Sequence, residues 1–219
     1  MIWMNLADGP SAAIVIGGTV LATVLRCGWR DCGVAVLQIS QLGQAQFDAD
    51  ATQAELAQQV QDIHQDGLLC AAPHHYADRE FEEVTEALIG RRSVGALLDR
   101  HEAHRTRRQQ VSDRAVRALA QAAELAPVFG LAGTLISLSQ LPGDGLARGA
   151  ITGAISMAVL TTLYGLLLAN FVLAPLARMV ERKAKYEESE RQRLIDWLAE
   201  HVAPGLEPRV KPVPDRVAA

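Results

Sequence analysis

The sequence predicts an all-α membrane protein with three transmembrane helices and long cytoplasmic helical extensions. Three observations predict this class: charged residues are missing from three long stretches, strand signals are few, and basic residues cluster in two regions. The uncharged stretches cover residues 9–25, 125–143 and 149–177. A helix needs about 20 mostly apolar residues to cross the hydrocarbon core of a bilayer. All 21 basic and 25 acidic residues lie outside these stretches, so lipid explains them better than three buried helices of a soluble protein.

The averaged composition conceals this segregation. With 49% hydrophobic and 21% charged residues, the chain as a whole resembles a soluble domain. Its net charge of −4 argues against nucleic acid as a partner. The three cysteines, Cys27, Cys32 and Cys70, are too few and odd in number for a disulfide framework, which favours a reducing compartment.

The first membrane helix is predicted over residues 9–28. Pro10 stands near its start, and Trp3 and Trp29 flank it as interfacial aromatic residues do. A cleaved signal peptide is the alternative interpretation. It is disfavoured because no basic residue precedes the apolar stretch, whereas Arg26 follows it.

The distribution of basic residues predicts the orientation. Only Arg148 lies between the second and third stretches, and no Lys or Arg precedes the first. Because basic residues mark the cytoplasmic side, the N-terminus is predicted to lie outside the cytoplasm and the C-terminus inside it. The predicted segments are a periplasmic N-terminus (1–8), transmembrane helix 1 (9–28), a cytoplasmic helical region (29–124), transmembrane helix 2 (125–142), a periplasmic turn (143–150), transmembrane helix 3 (151–177), and a cytoplasmic helix with a proline-rich tail (178–219).

The cytoplasmic region between the first two spans is predicted to begin with two helices. Leu56, Val60 and Ile63 recur at helical spacing within residues 51–71. A second helical pattern runs over residues 77–90.

The second and third spans are predicted to continue beyond the membrane. A helix that begins at residue 93 meets no proline before Pro127 and merges with the second span, ending near residue 141. The third span continues through charged, helix-favouring residues until Pro204 and Gly205 end it.

Small residues in these two spans suit close helix packing. Gly130 and Gly133 lie in the second span, and Gly165 and Ala169 lie in the third. Residues with little or no side chain let another helix approach closely. We predict that these four residues pack the spans together.

Each of the two spans also contains a proline. Pro127 and Pro175 have no N–H, so the carbonyl groups of Ala123 and Phe171 lose their helical donors. A kink or hinge is expected at each proline.

Three threonines give the spans a polar component. Thr134, Thr161 and Thr162 either bond back to their own helix as packing residues or form a polar seam that lines an ion path, and spacing does not choose between these alternatives. No Asp, Glu, His, Lys or Arg lies within any span. Because proton relays in membranes need a titratable group, proton movement would require an acid from a second protein.

Several strings of the sequence carry a family resemblance. APVFGLAGTLISL (126–138) and AVLTTLYGLLLANFVLAPLARMVERK (158–183) resemble the two signature helices of the MotA/TolQ/ExbB proton-channel family. GPSAAIVIGGTVLATVL (9–25) resembles the second transmembrane helix of MotA-type flagellar stator subunits, and GLEPRV (205–210) is similar to a MotA-type tail motif. The resemblance covers nearly the whole chain.

The resemblance implies a pore-forming A-type subunit of an ion-driven motor in a bacterial inner membrane, with the N-terminus periplasmic. Family members form a homopentamer around two single-span B-type subunits of the MotB, TolR or ExbD kind, whose membrane aspartate carries H⁺ or Na⁺. Ion flow then moves the pentamer. By resemblance, Thr134 and Thr162 face the channel, and Pro127 and Pro175 couple ion flow to movement. Membrane lipid surrounds the complex, and no cofactor beyond the transported ion is implied.

The chain departs from the MotA pattern in two respects. MotA-type subunits have four spans, and this chain begins at the equivalent of their second. Either its start site is misassigned or it is a three-span variant, as TolQ and ExbB are. Stator subunits also carry an Arg and, eight residues later, a Glu that engage the rotor. The matching string HQDGLLCAA has His64 and Ala72 there, so the charge pair that turns a flagellar rotor is absent, and ion-driven work on another target stays open.

Histidines and arginines outside the spans carry weaker patterns. His101 and His104 share a helical face, and Cys70 lies near His74 and His75, but neither spacing matches a metal-binding motif. We predict no metal site and a solvated surface at both places. Four basic residues of the same helix are also predicted to face solvent, with lipid phosphates as the alternative partner: Arg100, Arg105, Arg107 and Arg108.

A non-conducting scaffold that has kept the fold is the alternative function. A scaffold would tolerate Thr162→Ala, whereas an ion channel would lose energised function. An enzyme has little support, because no phosphate loop, nucleophile elbow or paired-carboxylate signature is present. The transported ion stays open, as does the machine it drives: a flagellar rotor, outer-membrane energisation or another target.

Overall fold

The computed structural model describes residues 9–44, 47–66, 76, 78–139 and 148–206. These residues form helices, with no strand among them, so the predicted all-α class is confirmed for this part of the chain. In chain order the helices are α1 (Gly9–Cys27), α2 (Trp29–Gln41), α3 (Ala49–Asp66), α4 (Arg79–Arg91), α5 (Val94–Ser139), α6 (Arg148–Leu167), a six-residue π-helix (Leu168–Leu173) and α7 (Ala174–Leu206).

The chain divides into two compact units. The apolar unit contains Met1–Ala45 and Gln109–Lys185, and the charged unit contains Gln46–Arg108 and Tyr186–Ala219. Helices α1, α2 and α6 therefore belong to the apolar unit alone, and α3 and α4 belong to the charged unit alone. Helices α5 and α7 contribute residues to both.

Two helical stretches are long and apolar enough to cross a bilayer. They lie within Val94–Ser139 and Ile151–Ala203, which include residues 125–139 of the second predicted span and all of the third. Helices α1 and α2 pass the same test only as a pair, although the chain bends by 117° between them. The described residues thus provide two candidate spans, or three if the bent pair counts as one.

Helix α1 buries polar side chains and exposes apolar ones. Thr19 and Thr23 expose only 2% and 6% of their surface, whereas Leu21 and Leu25 expose 62% and 78%. The hydroxyl groups of Thr19 and Thr23 donate to the carbonyl oxygens of Val15 and Thr19, at 2.6 and 2.7 Å. A helix in water has the opposite arrangement, so this pattern is typical of a helix that faces lipid.

Small side chains bring α2, α5 and α7 together in the apolar unit. Lys183 of α7 also donates to the carbonyl oxygens of Gln41, at 2.6 Å, and Gln44, at 3.3 Å. The ammonium group therefore adds a charged donor at the C-terminal end of α2, where the carbonyl oxygen of Gln41 also accepts from the N–H of Gln44 at 3.0 Å. The buried core that joins the three helices consists of Ala35, Ala115, Ala118, Leu119, Ala177 and Val180.

A single glycine turns the chain between α1 and α2. Gly28 has φ 88° and ψ 155°, a conformation that only glycine adopts readily. Its N–H donates to the carbonyl oxygen of Val24 at 2.9 Å, and its own carbonyl oxygen accepts from the N–H of Cys32 at 3.3 Å. The bend therefore leaves the hydrogen bonding of both helices continuous.

The charged unit has an apolar core of its own. The three residues whose spacing predicts α3, Leu56, Val60 and Ile63, are all buried, as an amphipathic helix requires. Helices α4, α5 and α7 complete the core with Phe81, Val84, Leu88, Leu97, Leu194, Ile195, Leu198 and Val202.

Helix α2 was not predicted, and the bounds of the predicted helices agree with the structure except at two ends. Helix α5 matches the predicted helix over 93–141 within two residues at each end. The predicted extension of α3 to residue 71 falls on residues 67–75, which lie outside the described part. Helix α7 passes through Pro204 to Leu206, beyond the predicted stop, because a proline in the last turn removes only one hydrogen bond.

Candidate ion path and coupling helices

Helices α5 and α6 come into backbone contact at two of the predicted packing residues. A methyl group on Gly165 would lie 2.6 Å from the carbonyl oxygen of Ala126 and 3.2 Å from Cα of Pro127. A methyl group on Gly130 would lie 3.0 Å from the carbonyl oxygen of Thr161. Later residues of α5 meet earlier residues of α6, so the helices run antiparallel. Only residues without a side chain permit this approach.

Gly133 faces the side chain of Thr161. A methyl group on Gly133 would lie 2.8 Å from both Cβ and Cγ2 of Thr161, which is fully buried. The Thr161 hydroxyl donates to the carbonyl oxygen of Ala158 at 2.9 Å. Within one chain, Thr161 therefore lies in the helix contact with its hydroxyl bonded to its own helix.

Thr134 and Thr162 follow the contact residues in sequence and are partly exposed. The Thr134 hydroxyl donates to the carbonyl oxygen of Leu131 at 2.6 Å, and the Thr162 hydroxyl donates to that of Ala158 at 3.3 Å. A hydroxyl that donates one bond keeps its lone pairs for water or a cation. These two side chains are thus better placed than Thr161 to meet an ion outside the chain.

Pro127 lies inside α5 without ending it, since the helix continues to Ser139. The carbonyl group of Ala123 loses its α-helical donor because proline has no N–H. Cα of Pro127 lies beside Gly165, at the close approach of α5 and α6. A movement at this proline would therefore act directly on the contact between the two helices.

The second proline, Pro175, lies two residues after the end of the π-helix. The N–H of Ala174 donates to the carbonyl oxygen of Ala169, five residues earlier, and Pro175 is the second residue of α7. Ala169 is buried, with 5% of its surface exposed. A π-helix accommodates one extra residue in a helical turn and is frequent at functional sites. The sequence predicts a kink here but gives no sign of the π-helix.

One polar residue of the π-helix is not among the predicted site residues. Asn170 is the single Asn or Gln between residues 149 and 177, and its side chain is exposed. Its Nδ2 donates to the carbonyl oxygen of Leu166 at 2.9 Å. An amide in an apolar span costs free energy unless it has hydrogen-bond partners. A single Asn in such a span is therefore a sequence signal for a candidate site residue.

The predicted solvated surface is wrong for His101 and Arg108 in the charged unit. His101 exposes 5% of its surface, and its Nε2 lies 3.2 Å from Oε1 of Gln192. Burial lowers the pKa of His101 most, and the positive charge of Arg108 lowers it further. Arg108 pairs with Glu188 at 2.9 Å and also with Glu80. Side chains of α4 and α7 therefore cover this face of α5.

Arg191 ties the start of α4 to α7 in the same network. Its Nη2 lies 2.6 Å from Oδ2 of Asp78 and 3.0 Å from Oε1 of Glu187, and its guanidinium carbon lies 4.4 Å from the ring centre of Phe47. Burial lowers the pKa of Arg191, but the bond to Asp78 and the nearby carboxylates raise it overall. Asp78 also caps α4, because its Oδ1 accepts from the N–H of Glu80 at 2.9 Å.

The described residues contain no group of three His, Cys, Asp or Glu side chains placed to hold a metal ion. Cys70, His74 and His75 lie outside the described part, as does Ala72 at the second rotor position. His64, at the first rotor position, belongs to α3, but its side chain is not described.

The helices that form the candidate ion path match a known family. Residues 73–193 match the MotA/TolQ/ExbB proton channel family, which is more than half of the 219-residue chain. The chain belongs to this family. Membership in the MotA/TolQ/ExbB family makes the chain a bacterial inner-membrane protein and a component of ion channels rather than an enzyme.

Curated relatives in the MotA/TolQ/ExbB family include motility proteins. Motility protein A of Cereibacter sphaeroides is 26% identical over 205 residues, which cover 87% of this chain and 76% of that protein. Motility protein A of Borreliella burgdorferi is 33% identical over 88 residues, covering 40% of this chain and 34% of that protein. Chemotaxis protein PomA of Vibrio alginolyticus is 33% identical over 87 residues, with coverage of 40% and 34%.

Two solved complexes share the fold of this family member. The flagellar MotAB stator complex from Bacillus subtilis matches with a TM-score of 0.78 at 21% identity, covering 93% of this chain and 80% of that chain. The C. jejuni MotAB structure matches with a TM-score of 0.81 at 15% identity, covering 95% and 88%. At these identities the likeness concerns the fold alone.

Proposed function

We propose that the chain is the pore-forming A-type subunit of an inner-membrane motor that converts a proton or sodium gradient into mechanical work. Family membership and the long match to a motility protein A support this function. The fold shared with MotAB complexes supports a single-span, MotB-type partner. In the proposed complex, five copies of this chain surround the B-type subunits, with the N-terminus periplasmic and the C-terminus cytoplasmic.

The observation that carries the proposal is a contact between two membrane segments that has polar hydroxyls but no side chain that titrates near neutral pH. Thr134 and Thr162 present partly exposed hydroxyls beside the close contact of α5 and α6. Residues 125–143 and 149–177 contain no Asp, Glu, His, Lys or Arg. A threonine hydroxyl hydrates or coordinates a cation but does not exchange its proton at neutral pH. The aspartate of a B-type partner completes the path, so the chain alone does not conduct.

Pro127 and Pro175 are proposed to couple ion flow to movement. Each removes a backbone hydrogen bond from a membrane helix, and Pro127 adjoins the tight contact at Gly165. A change of charge on the partner's aspartate would alter the hydration of the Thr134 and Thr162 hydroxyls. The missing hydrogen bonds at the two prolines would then let α5 and α7 bend in response.

The test is ion leak in cells that express the chain with its B-type partner. The partner should lack the plug segment that closes the resting channel, and cytoplasmic pH and Na⁺ uptake should be followed after induction. We expect leak only when both proteins are present. Thr162→Ala should lower that leak by about tenfold, the usual effect of losing one polar contact to a charged group, whereas Thr162→Ser should retain most of it. Absence of leak from the wild-type pair, with both proteins in the membrane, would favour the scaffold.

A further inference from the structure

The π-helix leaves the backbone carbonyl group of Asn170 without a helical donor. In an α-helix this oxygen would accept from the N–H of Ala174, but that N–H donates to Ala169 instead. In a π-helix it would accept from residue 175, which is a proline and has no N–H. The carbonyl group of Phe171 likewise loses its α-helical donor to Pro175. The carbonyl oxygen of Asn170 therefore lacks both helical donors, and that of the adjacent Phe171 lacks its α-helical donor.

The side chain of Asn170 adds a third acceptor at the same place. Its Nδ2 is held by the bond to the carbonyl oxygen of Leu166, which leaves Oδ1 as the remaining polar atom of the amide. No hydrogen bond to Oδ1 occurs among the described residues. Asn170 is exposed, and the neighbouring Phe171 exposes 76% of its surface. The acceptors are thus accessible from outside the chain.

Asn170 lies on the same helical stripe as Thr162. Leu166 is four residues from each, a spacing that places all three side chains along one side of the helix. At 1.5 Å per residue, Asn170 is about 12 Å from Thr162 along the axis and about 12 Å from Arg178, the first charged residue beyond the span. It therefore stands midway along a length of the third span that has no Asp, Glu, His, Lys or Arg.

We propose that Asn170 is a cation-binding station of the ion path, built from its amide oxygen and the freed carbonyl oxygens of residues 170 and 171. Amide and carbonyl oxygens replace the water around a cation in channel filters. In the hydrocarbon region, unpaired acceptors cost free energy, which a passing Na⁺, hydronium or its hydrating water offsets. The inference rests on the proposed function, because it needs an ion to reach Thr162 first.

The test compares three variants of the complete chain, expressed with the plug-deleted B-type partner. Asn170→Leu keeps the approximate size but removes both the acceptor and the donor. Asn170→Asp keeps acceptor oxygens and removes the amide donor to Leu166. Val172→Leu is the matched control, since it changes an exposed apolar neighbour that contributes no atom to the proposed station. Proton and Na⁺ leak are measured together with the amount of assembled complex in the membrane.

We expect Asn170→Leu to lower leak by about tenfold, while Asn170→Asp and Val172→Leu leak within about twofold of the wild type and all three variants assemble. Equal leak from Asn170→Leu and the wild type would overturn the cation station and leave the proposed function standing. Equal loss in the Leu and Asp variants would also overturn it, because the donor bond to Leu166 would then be the property that matters. Loss of assembly in Asn170→Leu would identify Asn170 as a contact between subunits instead. Failure of the wild-type pair to leak would count against the proposed function itself.

Discussion

Gly165→Ala is expected to separate α5 from α6 and to abolish ion flow. The new methyl group would lie 2.6 Å from the carbonyl oxygen of Ala126 and 3.2 Å from Cα of Pro127, whereas ordinary contact begins at 3.4 Å. Both obstacles belong to the backbone, so no side chain can rotate away. The helices must move apart by about 0.8 Å, and overpacking of this kind costs about 1–3 kcal/mol.

The matched control is Gly153→Ala on the same helix, where a methyl group would meet nothing within 4 Å. Thermal unfolding of the purified chain in detergent should show a fall of about 5 °C for Gly165→Ala, since each kcal/mol corresponds to about 2–4 °C in a chain of this size. Gly153→Ala should melt with the wild type. Gly133→Ala should lie between them, because its obstacle is the side chain of Thr161. If Gly165→Ala and Gly153→Ala melt and conduct alike, the backbone contact does not hold the helix pair together.

Three further predictions concern residues outside the helix pair. Arg191→Met should lower the free energy of unfolding by about 1–3 kcal/mol, because it leaves the partly exposed carboxylates of Asp78 and Glu187 without their cation. Arg193→Met, whose side chain is 57% exposed, should change it by less than about 1 kcal/mol, and urea titration distinguishes the two variants. Because the pKa of His101 is lowered below its usual value of 6.5, the unfolded chain binds more protons there, so stability should fall as pH drops below about 7 toward the folded pKa. His101→Gln should reduce the fall in melting temperature between pH 8 and pH 5. An unchanged dependence of melting temperature on pH would argue that another group is responsible. Lys183→Met should speed hydrogen exchange at the end of α2, where its two carbonyl contacts are lost, while Lys185→Met, which removes only an exposed pair with Glu181, should not.

The long helices were predictable because charge segregation and proline positions are visible along the chain itself. Residues 93–141 were expected as one helix, and Val94–Ser139 form it. Gly130 and Gly165 were expected at helix contacts because a missing side chain has few other uses in an apolar span, and both lie where α5 and α6 meet.

The remaining features depend on atoms that are far apart in the sequence or on a local hydrogen-bond choice. Arg108 and Glu188 are 80 residues apart, so alternating charges along α5 resemble a solvated face until α4 and α7 cover them. Pro175 shows that the carbonyl group of Phe171 lacks its α-helical N–H donor. The sequence does not show that the helix responds by pairing the N–H of Ala174 with the carbonyl oxygen of Ala169. Helix α2 was overlooked because a polar, charged string after Arg26 suggests the end of a span and not a second helix.

The glycine at position 28 fixes more than the angle between α1 and α2. Since the hydrogen bonds at Val24 and Cys32 continue on both sides of it, the corner contains no loop that could lengthen or shorten. The position of α2 is therefore tied to the end of α1 to within a single residue. An insertion of even one residue here would rotate α2 by about 100° about its axis, turning Ala35 out of the core and the exposed Val36 and Leu37 toward new neighbours. The corner thus fixes the rotation of α2 about its own axis. Insertions at this point should be tolerated far less than those in an ordinary connection between helices.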